Sequence, residues 1–307
     1  MIYFLQPIIN NNNNYKITID AERYSDLVNS KNCLLEAIQL EEKMRCLLEN
    51  YKEYESYLLR SALTNLIGEV RDFHDFQNKR SEVNRHIFNF MATARAYLDH
   101  GDHHIKKLLG VGNDAFFSKE KSKQYDASFA YRVMEALRNY TQHRGFPIHM
   151  ISFKHSREEL DVDNPGVGVT ISPKMSVNEF LRDPKFKRAV ANEMMNHGDA
   201  ISLTPLVRDY VSQLTSIHRI VQEYTEGVVG LACKKIEEAL SQVKKIFELD
   251  SINPGIYVTA ERYDHEQAQE EEFTLIPEFE VRYRLLKAAN KEINNLRYRY
   301  VTGRASS

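Results

Sequence analysis

The stretch "ASFAYRVMEALRNYTQH", residues 127–143, runs directly into "RGFPIH", residues 144–149. Phe129, Val133, Leu137 and Tyr140 recur at steps of three and four, which at about 100° per residue puts them in one narrow stripe of a helix. Such a stripe must be buried, so this segment predicts a helix packed in a helical core, stopped by Gly145 and Pro147. Its last turn carries Arg138, Asn139 and His143. On a regular helix, residues five apart diverge by about 140°, so Arg138 and His143 flank the stripe rather than meet. Either the last turn loosens, or a second copy of the chain crosses this one and brings its own pair to a two-fold axis.

Working outward, the same periodicity predicts more helix on both sides. Leu34, Leu35, Ile38, Leu47, Leu48, Tyr51, Tyr54, Leu58 and Leu59 mark an amphipathic helix, or a broken pair, from near Asn32 to near Ile67. A second covers about residues 77–109 and ends at "GVGND", and the third is the helix of about 126–143. Between them "KEKSKQ", residues 119–124, reads as a solvated loop. "IHMISF" (148–153) and "GVGVTI" (166–171) are rich in β-branched residues and read as strands. "SVNEFL" opens a short helix at Ser176. Thr204 as a cap with Pro205 at the first helical position starts the longest helix, about 205–248, with Val211, Leu214, Ile217, Val221, Val228, Leu231 and Ile236 on its inner side. "PGIYVTAERY" and "EEFTLI" pair as a small hairpin, a last helix spans about 277–300, and "TGRASS" frays. At the start, "MIYFLQPI" and "YKITID" are two extended segments joined by an asparagine tract, Asn10 to Asn14.

The fold class is therefore mainly α: an N-terminal extended or hairpin segment (1–29), a helical bundle (30–150), and a second helical region with small β-hairpins (151–307). Composition agrees, since 12 Gly and 8 Pro in 307 residues are too few for a loop-rich all-β chain. A net charge of -2 supplies no global field for a polyanion, so contact with nucleic acid has to come from a local basic patch. Cys33, Cys46 and Cys233 are far apart with no CxxC, which excludes a readable disulfide framework or cysteine zinc site and favours a reducing cytoplasm. No uncharged apolar run is long enough for a membrane span, so no membrane partner is expected.

"RNYTQH", residues 138–143, resembles the R-x4-6-H motif of the HEPN superfamily of helical-bundle proteins, including the polar residue directly after the arginine, Asn139. As an architecture the resemblance covers about residues 30–150; its sequence-specific content is these few residues. It implies a metal-independent endoribonuclease, needing no cofactor, that works as a homodimer with both motifs lining a shared cleft. Arg138 and His143 would then be catalytic, with Asn139 in support, and RNA the substrate. It also implies a role as a toxin or antiphage defence effector with a cognate antitoxin or regulatory protein. The alternative within the same resemblance is a non-catalytic HEPN-like interaction or assembly protein. The implied chemistry suits these side chains: a histidine titrates close to neutrality, and an always-charged, forked arginine can hold phosphate oxygens.

The pattern R-x4-H occurs three times. "RGFPIH", Arg144 to His149, spans Gly and Pro and is accidental. "RAYLDH", Arg95 to His100, is the serious rival, on an amphipathic helix but with Ala96 in place of a polar residue. His100, Asp102, His103 and His104 in "HGDHH" have the residue types of a metal site, but Gly101 and Asp102 are expected to interrupt the helix that would align them, and no HExxH glutamate follows. A solvated helix end is the expected reading. P-loop, dinucleotide-binding and G-x-S-x-G motifs are all missing from the sequence.

Overall fold

Asp20 starts the first helix: its Oδ1 accepts the N–H of Arg23 at 2.7 Å, so α1 runs Ala21–Leu66 rather than from near Asn32. The computed structural model describes residues 1–8, 15–69, 72–158, 166–248, 257–264 and 268–299; the asparagine tract and the "TGRASS" tail lie outside them. α2 is Phe73–Leu109, α3 Ala115–Ala127 and α4 Phe129–His143. β1 is Ile2–Pro7 and β2 Ile17–Ile19; β3 is Met150–Glu158 and β4 Gly166–Ser176. Two short helices follow, α5 (Val177–Arg182) and α6 (Arg188–Met195), then β5 (Ala200–Ser202) and α7 (Leu203–Ile246). β6 (Val258–Tyr263), β7 (Gln269–Leu275), α8 (Pro277–Ala289) and a 3-10 turn (Leu296–Tyr298) follow, and the described residues are mainly α with two small antiparallel sheets. No helix among the described residues is long and apolar enough to cross a membrane.

The chain forms two units, each assembled from segments distant in sequence. The first comprises Met1–Glu42, His100–Ala115 and Ile220–Lys291. Its sheet has the order β2-β1-β6-β7, so the predicted β6–β7 hairpin extends the N-terminal one. β7 carries Glu270, Glu271 and Glu272 and is an edge strand, where charge deters further pairing. Leu5 faces Ala260 and Val258 faces Leu275 across the ladders, all four buried. Buried Glu41 accepts hydrogen bonds from Gln222 at 2.9 Å and Asn290 at 2.7 Å. Asn290 also donates to the Glu41 carbonyl, and this anchor ends α8 at Ala289 rather than near Tyr300. In the part of α7 that belongs to this unit the buried face runs Val221, Thr225, Val229, Ala232, and Val228 and Leu231 are exposed at 40% and 56%. Their apolar character had suggested the inner side, but strict helical drift carries them off it.

The second unit comprises Lys43–Asp99, Phe116–Arg219 and Glu292–Ser307. Tyr54, Phe90, Tyr97, Val133 and Leu137 are fully buried in its core. The two tyrosine hydroxyls are satisfied there, by Thr204 Oγ1 at 2.8 Å and His218 Nδ1 at 3.0 Å. Its sheet has the order β3-β4-β5, with Phe153 opposite Ile171 and Met175 opposite Ile201. "KEKSKQ" is helical within α3, not a loop, because Phe117 is fully buried and fixes the helix to the core.

Candidate functional site

α4 is held at both ends. Ser128 caps it, its Oγ accepting the Tyr131 N–H at 3.1 Å. Arg132 fixes the first turns by donating to both carboxylate oxygens of Glu193 on α6, at 2.9 and 2.6 Å. At the far end the N–H of Arg144 returns to the Tyr140 carbonyl at 2.8 Å and the helix stops before Gly145, as the sequence predicts. Past Pro147, buried Asn84 of α2 receives the chain. Its Oδ1 accepts the Ile148 N–H at 3.0 Å and its Nδ2 donates to the Ile148 carbonyl at 3.2 Å, a side chain acting as a strand partner. His149 follows with Nδ1 accepting the Ser176 N–H at 3.1 Å; burial pushes its pKa down, with Glu179 opposing and Arg80 adding to the shift.

The apolar stripe is buried at Val133 and Leu137, while its outer members meet other elements. Phe129 stacks on His197 at 4.0 Å, and Tyr140 sits edge-on to Phe180 and Phe186 at 5.0 and 6.0 Å. Tyr140 thus forms one wall of a cleft of about 540 Å³ beside the last turns of α4. Asn139, His143 and Arg144 line it from the helix side. Lys185, Phe186 and Lys187 line it from the segment between α5 and α6. With Arg132 there are four lasting cations in the wall against two carboxylates, Glu135 and Asp183. Two of these cations are spent on ion pairs, Arg132 with Glu193 and Arg144 with Asp183 at 3.7 Å. Lys185 and Lys187 are exposed, and Lys187 lies 4.5 Å over the ring of Tyr125.

Arg138 is placed differently. Its side chain is 11% exposed and it does not line the cleft; Nη1 lies 3.4 Å from Glu135 Oε2. Nη2 donates to Asn139 Oδ1 at 2.9 Å, whereas Nε and Nη1 are buried and make no hydrogen bond among the described residues. Glu135 is in turn fixed by the hydroxyl of Tyr210, which donates to Oε1 at 2.7 Å. Burial, reinforced by that carboxylate, pushes the Tyr210 pKa far up and keeps it a donor. The structure therefore brings Asn139 and His143 to one cleft, while Arg138 does not line it and meets it through its contacts with Asn139 and Glu135.

The rival motifs fare as follows. Arg95 pairs with Asp99 one turn on and lines a second cleft of about 380 Å³, which shares Tyr125 and Glu135 with the first; His100 does not line it. The ring of His149 is engaged by Ser176, as above. "HGDHH" does not break the helix: α2 continues through Gly101 and Asp102 to Leu109, a correction to the expected interruption. Its His104 is buried against Glu36, 2.6 Å from Nδ1 to Oε2. Burial works against ionisation of Glu36, yet hydrogen bonds from Lys107 and His104 hold its carboxyl below the usual range. Among the described residues no three His, Cys, Asp or Glu side chains are arranged to hold a metal ion.

The chain matches no family model, no curated protein and no solved structure. The likeness to the HEPN superfamily thus rests on Arg138, Asn139, His143 and the helix that bears them. Sequence reasoning missed the opposite wall. Its signal was present in "DPKFK", residues 183–187, where a phenylalanine stands between two lysines after a proline: Phe186 is buried and anchors the segment, and Lys185 and Lys187 are exposed beside it.

Proposed function

We propose that this protein is an RNA-cleaving enzyme of HEPN type that acts without a metal cofactor. The observation that carries the reading is the cleft itself: His143 and the amide Asn139 line it together with Lys185, Phe186 and Lys187. Exposed lysines attract a phosphodiester, and the half-buried rings of Tyr125 and Tyr140, which also line the cleft, suit unstacked bases of a single-stranded segment. In the reaction the substrate 2′-oxygen attacks phosphorus, the bond from phosphorus to the 5′-oxygen breaks, and a 2′,3′-cyclic phosphate and a 5′-hydroxyl result. One group must take the 2′-hydroxyl proton and another must protonate the leaving 5′-oxygen. His143 performs one transfer, and in a homodimer the partner's copy of the same histidine performs the other. A toxin or defence role in the cytoplasm, with a controlling antitoxin, follows from the family likeness alone.

The test is incubation of wild type, His143→Ala and Arg138→Ala with single-stranded and structured RNA in EDTA, with sedimentation to read the oligomeric state. Cleavage by wild type, lost in His143→Ala, is the expected result. Equal cleavage by all three, or none by wild type, rejects the proposal.

A second reading, a non-catalytic HEPN-like interaction or assembly protein, is favoured by one observation: Arg138 is tied to Glu135 on its own helix. On that reading wild type binds a protein partner or its own copy and leaves RNA intact.

A further inference from the structure

The two neighbours Arg138 and Asn139 divide their work in a way their residue types alone do not suggest. A guanidinium has only donors, so the atom of Asn139 that meets Arg138 Nη2 at 2.9 Å has to be the carboxamide oxygen. The amide orientation is therefore fixed by chemistry, and the amino group is the end left over. Asn139 is exposed and lines the cleft; Arg138 is nearly nine-tenths buried and does not. Arg138 is further tethered by Glu135, and Glu135 by Tyr210, whose ring is 2% exposed in the core. Tyr210, Glu135, Arg138 and Asn139 thus form a chain of polar contacts that starts in the packed interior and ends at the cleft wall.

We infer that the hydrogen-bond donor meeting the RNA phosphate is the Asn139 amino group, and that Arg138 is a positioning residue. This rests on the nuclease reading above and reverses the division of labour that the family likeness implies. The guanidinium turns the amide so that Nδ2 is presented to the cleft, and withdraws the oxygen that would repel a phosphate. Its charge also polarises the amide, which strengthens the remaining N–H donors.

The test is single-turnover cleavage of one short single-stranded RNA in EDTA by wild type and the variants Asn139→Ala, Asn139→Asp, Arg138→Lys and Arg138→Ala, with each variant's thermal melt recorded. Loss of a donor aimed at transition-state charge lowers rates by about 10²-fold or more, so both Asn139 variants are expected to fall that far. Arg138→Lys keeps a cationic donor for Oδ1 and is expected to stay within about tenfold of wild type, while Arg138→Ala falls with the asparagine variants. A direct phosphate fork by arginine predicts the opposite: Arg138→Lys as impaired as Arg138→Ala. That result, or an Asn139→Ala variant that cleaves at the wild-type rate, overturns the inference and leaves the nuclease proposal standing. Because position 139 is exposed, its variants carry the test even if a substitution at the buried arginine fails to fold. An inactive wild type removes both.

Discussion

Replacing Asn84 with alanine tests the clamp that fixes the chain leaving α4. The carboxamide pairs with both the N–H and the C=O of Ile148, at 3.0 and 3.2 Å. Asn84 is 3% exposed and Ile148 2%, so water reaches neither partner easily. Alanine leaves two buried backbone groups unsatisfied, each costing about 1–3 kcal/mol, for a total of about 3 kcal/mol. With an unfolding entropy of about 2 cal/mol/K per residue over the 307 residues, that loss lowers the melting temperature by about 5 °C. Thermal melts followed by circular dichroism read the shift, with Asn89→Ala, exposed on the same helix, as the control expected to change little. Asn84→Asp adds a second signature. A neutral carboxyl can both accept from and donate to Ile148, whereas a carboxylate can only accept and buries a charge, so this variant should be closer to wild type at pH 5 than at pH 8. A shift for Asn84→Ala no larger than that of Asn89→Ala would refute the clamp.

Two further outcomes are expected. The folded pKa of His149 lies below that of the unfolded chain, so the stability it contributes is complete above about pH 6.5 and is lost as pH falls through the lower folded value. The urea midpoint should accordingly drop less between pH 7 and pH 5 in His149→Gln than in wild type, and an equal drop would discount the residue. Burial pushes the thiols of Cys33 and Cys233 up to about 11, while Cys46 is exposed. A thiol reagent at neutral pH should therefore label Cys46 quickly in the native protein and all three only after denaturation, as counted by mass spectrometry.

Helices were readable wherever their own periodicity located them. α4 lies where Phe129, Val133, Leu137 and Tyr140 put it, with Gly145 stopping it, and α2 ends at Gly110, whose φ of 87° suits glycine alone. Features set by distant partners were not readable. The end of α8 depends on Asn290 finding Glu41, and α3 depends on Phe117 finding the core, neither of which local composition reveals. The same division holds at the candidate site. Asn139 and His143 could be singled out from one helix, but the inward placement of Arg138 depends on Glu135 being held by Tyr210, far along the chain. Nor does spacing along α4 tell that Lys185 and Lys187 face it, since that is settled by α5 and α6 folding back.

Glu135, Arg138, Asn139 and His143 all belong to one helix, so their backbone spacing is inherited from helix geometry, while the side chain of Arg138 leans on Tyr210 through Glu135. The exposed Lys185 and Lys187 of the facing wall come from a separate segment, so exchanging them leaves that helix spacing unchanged. On the proposed nuclease reading, chemistry and target preference are carried by different segments, and variation is expected on the opposite bank of the cleft.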